Sequence, residues 1–135
     1  MTKTAATRAR PLSPHITAYK WPVTMTMSIL HRMTGAALYF GTLLVAWWLI
    51  AASTSEGYFD FVNGIFGSWF GRLVLFGYTW ALIHHMLGGI RHLVWDTGAG
   101  LEKHTASKFA WANVAGSTVL TLAVWIAGYA ARGAF

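Results

Sequence analysis

The chain contains no cysteine. Disulfides, thiolate-held iron–sulfur clusters and Cys-type zinc sites are therefore excluded within it. Charge is scarce as well: 10% of the 135 residues are Asp, Glu, Lys or Arg, whereas a soluble domain carries roughly 25%. Acids are the rarest, 4 against 10 Lys and Arg, which leaves a formal net charge of +6. No dinucleotide fingerprint, internal repeat or low-complexity tract occurs, so nothing speaks for a nucleotide-binding or repeat fold. The lysines and arginines cluster near segment ends rather than along one face, and no nucleic-acid partner is expected. What is abundant is apolar: 56% of residues are hydrophobic and the mean hydropathy is +0.47. That balance implies a small integral membrane protein.

Spanning a bilayer takes about 20 mostly apolar residues, and three stretches qualify: 25–52, 65–95 and 109–131. The expected fold is an all-α integral membrane protein, one domain over 1–135, with a basic tail at 1–24. The second span would measure roughly 45 Å as a straight helix, so it must tilt, kink or project. STSEGYFDFVNG, between the first two spans, reads as a polar turn with interfacial aromatics. DTGAGLEKHTASK separates the last two and carries glycines and charges that break helices. Lys3, Arg8, Arg10 and Lys20 precede the first span without an acid, the first loop holds Glu56 and Asp60 against only Arg72, and the second loop adds Lys103 and Lys108. Positive flanks stay on the cytoplasmic side. The tail and second loop therefore face inward, and the first loop and C-terminus outward. A bacterial inner membrane is the expected location; in a mitochondrial inner membrane the matrix replaces the cytoplasm.

This topology brings two polar groups to one depth. Ser28, His31 and Arg32 fall in the inner half of the first span, and His85, Arg91, His92 and Asp96 in the inner half of the second. An arginine or aspartate at a helix centre costs about 2.5–3.5 kcal/mol on insertion scales, and such residues usually face a cavity, a partner or a cofactor. At helical periodicity Ser28, His31, Arg32 and Gly35 share one face, as do His85, Gly89, His92 and Asp96. Gly88 and Gly89 leave room for a flat ligand or another helix near the backbone. Spacing alone does not choose between His84 and His85.

A neutral imidazole in a dry setting suits haem iron, and a Ser/Arg pair at i and i+4 suits the carbonyl oxygens of a quinone. His85 and His92 share one helix, so they cannot clasp one iron from opposite sides. Ligation by His31 and His85 within the chain is open on depth alone. Plainer readings stand beside these: Ser28 bonding back to its own helix, Arg32 snorkelling to the interface, and His92 with Asp96 as a solvated interfacial pair. Trp47, Trp48, Trp69, Trp95 and Trp111 read as interfacial belt anchors.

Two motifs add to this. RPLSPHITAYKWPVTMTMSILHRMTG (10–35) contains R-P-L followed by S-x-x-H-R-x-T-G, and HHMLGGIRHLVWDTG (84–98) contains H-x-x-x-G-I-R-H-x-x-W-D-x-G. The chain resembles the cytochrome b anchor of succinate dehydrogenase, the larger of the two membrane anchors of respiratory complex II, over its whole length. The resemblance implies that His85, four residues before Gly89, is an axial ligand of haem b, with the other ligand supplied by a smaller anchor subunit. It implies that Ser28 and Arg32 line a ubiquinone pocket. His31, Arg91, His92 and Asp96 would neighbour the haem propionates or a proton path. The implied partners are the small anchor, which completes the bundle, an iron–sulfur subunit and a flavoprotein, the last two holding the iron–sulfur clusters and FAD. Two other readings remain: the anchor of a menaquinol-linked fumarate reductase, and a non-redox helical scaffold or transporter.

Overall fold

A computed structural model describes residues 20–133, and among them every regular element is an α-helix. Four helices follow one another: α1 (Val23–Thr54), α2 (Glu56–Gly67), α3 (Trp69–Asp96) and α4 (Lys103–Ala131). α1, α3 and α4 are each long and apolar enough to cross a membrane. At 1.5 Å per residue they measure roughly 42–48 Å, against a hydrocarbon core of about 30 Å, so their ends reach beyond it or the helices tilt. α3 packs on both α1 and α4, and α1 also touches α4. The result is a three-helix bundle whose surface carries many large apolar side chains, including Tyr39, Phe40, Leu93 and Val119. In lipid or against another membrane subunit such exposure carries no penalty. The part of the basic tail that precedes residue 20 lies outside the described residues.

The segment expected as a polar turn is helix α2. Ser55 caps it by accepting a hydrogen bond from the Tyr58 backbone N–H, and Glu56 stands in its first turn, where the helix dipole favours an acid. Its aromatics fold back on α1. The Trp47 indole donates to the Tyr58 hydroxyl at 2.8 Å and the Trp48 indole to Asn63 Oδ1 at 2.9 Å. Trp47 and Trp48 are thus bound to α2 through their N–H groups, beyond any role as belt anchors. Trp69 and Trp111 are 80% and 64% exposed.

The second span also begins later than expected. Ile65 to Gly67 close α2, and Ser68 starts α3 by accepting from the Gly71 N–H at 3.1 Å. This junction is tight: a Cβ on Gly71 would run into the Ile65 carbonyl and sit 2.7 Å from the Phe66 Cα. Only glycine leaves the two helices this close. After α3, α4 starts at Lys103 rather than 109, and Gly98 and Gly100 take positive φ in the connection between them.

Candidate functional site

α1 and α3 meet at a pair of histidines. The rings of His31 and His85 stack with centroids 4.0 Å apart and planes 13° from parallel. Each is bonded to the other's backbone: His31 Nε2 donates to the His85 carbonyl at 3.3 Å, and His85 Nδ1 donates to the His31 carbonyl at 3.1 Å. Carbonyls only accept, which fixes the protons on those two nitrogens. Thr34 reinforces the choice. Its hydroxyl donates to the carbonyls of Leu30 and His31 at 3.0 and 2.9 Å, so its oxygen faces His85 Nδ1, 3.4 Å away, as an acceptor. In the neutral ring the lone pair then sits on His85 Nε2, which has no described hydrogen-bond partner. Two imidazoles lying face to face do not offer nitrogens to one iron from opposite sides, so ligation by His31 and His85 together is not built here.

Glycine permits the contact. A Cβ on Gly88 would overlap the His31 ring at Cδ2, and one on Gly35 would lie 3.0 Å from His85 Cε1. Gly89 has no described residue within 4 Å of its Cβ position. Of the two glycines, Gly88 thus receives His31 and Gly89 keeps the neighbouring surface open.

The adjacent histidine points the other way. His84 is fully buried against α4, its ring stacked on Trp80 at 4.8 Å. Its Nδ1 lies 3.2 Å from Ser117 Oγ, whose own proton goes to the Val114 carbonyl at 3.0 Å. Asn113 Nδ2 reaches His84 Nε2 at 3.2 Å. Ser117 therefore accepts from Nδ1, and the Asn113 amide, 3.3 Å from Nδ1 and 3.2 Å from Nε2, lies against both ring nitrogens. The HH pair is a division of labour, with His84 holding α3 to α4 and His85, half-buried, packed against α1.

The remaining residues divide between two faces. His92 is exposed and sits edge-on to His31 at 5.3 Å, which brings it into the histidine cluster. Ser28 and Arg32 lie on α1 just before and within the same turn as His31. The Ser28 hydroxyl makes no hydrogen bond to a described residue, although Thr34, Thr42, Ser53 and Thr54 on the same helix all bond back to carbonyls. Arg32 is exposed and has no ion pair among the described residues. Arg91 does not join them. It is 6% exposed, lies under Trp95 with its guanidinium carbon 4.9 Å from the ring, and borders a cleft with Phe109 and Asn113 on the α4 side. Its Nε and Nη1 have no partner there. Asp96 ends α3, exposed. Sequence reasoning missed Thr34, Asn113 and Ser117 as the groups that orient the two histidines. A threonine three residues after His31, and a serine four after an asparagine within a membrane span, were the available signals.

The family model described as "Succinate dehydrogenase/Fumarate reductase transmembrane subunit" matches residues 6–124. The chain belongs to this family. It is 47% identical over 113 residues to a succinate dehydrogenase cytochrome b556 subunit of Paracoccus denitrificans, covering 84% of this chain and 87% of the relative. A cytochrome b556 subunit of Rickettsia felis is 38% identical over 125 residues, 93% of this chain and 98% of its own. A mitochondrial cytochrome b560 subunit of Homo sapiens matches at 42% over 95 residues, 69% of this chain and 56% of its own. As a member of the family, the chain is a multi-pass membrane anchor and a component of the succinate dehydrogenase enzyme complex.

Proposed function

We propose that this anchor binds haem b through His85 and forms, with Ser28 and Arg32, part of a site where ubiquinone is reduced by electrons from an iron–sulfur partner. The observation that carries the reading is the proton placement at His85: Nδ1 is tied to the His31 carbonyl, and Nε2 keeps a free lone pair. That is the tautomer a metal-binding imidazole needs, held by the backbone bond that commonly orients such ligands. The residues fit the group in that His85 Nε2 has no described hydrogen-bond partner and glycine at position 35 leaves room for the ring, whose Cε1 lies 3.0 Å from where a Cβ would stand. Among the described residues no cluster of three or more His, Asp or Glu side chains offers an alternative metal site. Haem, when bound, supplies a one-electron carrier close to the quinone. Its second ligand comes from a smaller anchor subunit.

Ser28 and Arg32 are free to serve a ligand. The hydroxyl and guanidinium donate to quinone carbonyl oxygens, and the arginine stabilises negative charge that accumulates there during reduction. Quinone takes two electrons and two protons to become quinol. The electrons originate from succinate oxidised at a flavoprotein partner holding FAD and pass through the iron–sulfur subunit. The protons come from the inner side, with His31 and Asp96 as donors through water. This chain, without cysteine, anchors that pair in a bacterial inner membrane and does not oxidise succinate by itself. The relatives named above are succinate dehydrogenase subunits, which favours this direction over a menaquinol-linked fumarate reductase.

The test is Arg32→Leu in the assembled complex. Loss of a charge-assisted hydrogen bond is worth about 1.5–3 kcal/mol, so ubiquinone reduction should fall roughly 10- to 100-fold. Succinate oxidation with a soluble artificial acceptor should persist. Unchanged ubiquinone turnover would remove Arg32 from the site.

A further inference from the structure

At the end of the bundle opposite the histidines lies a second cavity, of about 730 Å³. All four helices line it, and its walls are aromatic: Trp48 from α1, Phe66 from α2, Tyr78 from α3 and Trp125 from α4. Two arginines, Arg72 and Arg132, complete the lining. Their presence runs against the charge distribution of the rest of the chain. Of the 10 lysines and arginines, the others sit in the tail, in the inner halves of the spans or in the second loop. Arg72 and Arg132 alone occupy the end that the positive-inside rule assigns to the outer face.

Both border the same cavity, whereas the acids at that end, Glu56 and Asp60, do not. Neither arginine is ion-paired or hydrogen bonded through its side chain to a described residue. Arg72 stands in the first turn of α3, where the helix dipole disfavours a cation. A cavity of this volume falls within the usual range of ligand sites, roughly 300–1,000 Å³. An apolar, aromatic groove with two unpaired guanidiniums suits an amphiphile with an anionic head, because the planar fork of arginine matches phosphate oxygens.

We propose that this cavity holds an anionic phospholipid of the outer leaflet, its phosphate held by Arg72 and Arg132 and an acyl chain in the aromatic groove. Such a lipid joins α2 to the open ends of α1, α3 and α4, and gives the outer end a stabilising element separate from the histidine site.

The experiment uses the full complex reconstituted in bilayers of equal parts phosphatidylglycerol and phosphatidylethanolamine, then re-extracted by exhaustive detergent exchange. Mass spectrometry counts the lipid that remains. Phosphatidylglycerol should be retained selectively, and R72Q/R132Q should weaken retention roughly 30-fold, about 1 kcal/mol for each arginine. K103Q/K108Q, which removes as many charges from the first turns of α4, should change nothing. Gly128 lines the cavity and a Cβ there meets nothing within 4 Å. Gly128→Leu should therefore exclude the lipid with both arginines in place, and it decides the matter if the arginine variant does not assemble. Equal retention by wild type and variants overturns the proposal, as does equal retention of the two lipids or a groove already filled by a partner subunit in cross-linking.

Discussion

Replacing Gly88 by alanine places a methyl group where the His31 ring stands. The new Cβ would overlap His31 Cδ2 and lie 3.0 Å from Nε2 and 3.5 Å from Cγ. The ring has little freedom to retreat, because it stacks on His85 at 4.0 Å and donates to the His85 carbonyl. Either α1 moves away from α3, which breaks both reciprocal hydrogen bonds, or the imidazole turns, which breaks the one it donates. Overpacking costs about 1–3 kcal/mol, and a lost hydrogen bond between membrane helices adds about 0.6 kcal/mol. The total is roughly 2–4 kcal/mol. Gly77→Ala serves as the control, since its Cβ position in the same helix is empty and alanine favours a helix over glycine by about 0.8–1.0 kcal/mol. Thermal unfolding of the purified complex, followed with its visible absorption, should show Gly88→Ala much weaker than Gly77→Ala. Adding His31→Ala should restore part of the loss by making room. If Gly88→Ala and Gly77→Ala behave alike, the close α1–α3 contact at the histidine pair is wrong.

Further expectations concern the neighbouring residues. Ser28→Ala should lower ubiquinone affinity more than it lowers stability, read as a raised KM in the assembled complex, because no described residue loses a hydrogen bond. Gly89→Ala meets no described residue, so it should spare the His31–His85 pair yet reduce haem content; full haem occupancy would mean that the surface beside Gly89 is not used. Asn113→Ala leaves His84 Nε2 buried without its donor and should destabilise the complex by about 1–3 kcal/mol, measured in denaturant, without shifting the visible spectrum.

Much of the fold was legible because spans announce themselves by length and hydropathy. The difference over 53–64, expected as a turn and largely helix α2, has a physical source. Glu56, Asp60 and Asn63 make the stretch look like a turn, but Ser55 is a helix cap, and Tyr58, Phe59, Val62 and Phe66 recur at helical spacing. Such a short helix holds through Trp47 and Trp48 of α1, contacts that no local pattern discloses. The histidines show the same limit. His84 and His85 are adjacent and chemically identical, and only the contacts of α4 separate them: Asn113 and Ser117 occupy both nitrogens of one. Arg91 was grouped with the histidines by sequence proximity, yet the 100° step between consecutive helical residues carries it from His92 to the α4 side.

The most direct measurement is the reduced-minus-oxidised optical spectrum of the complex carrying His85→Leu beside that carrying His84→Leu. A free Nε2 on His85 and two occupied nitrogens on His84 predict that the first loses or shifts the low-spin b-type signal. The second should be less stable and keep the signal. An unaltered spectrum in His85→Leu, with the signal lost in His84→Leu, would contradict the assignment of the haem ligand.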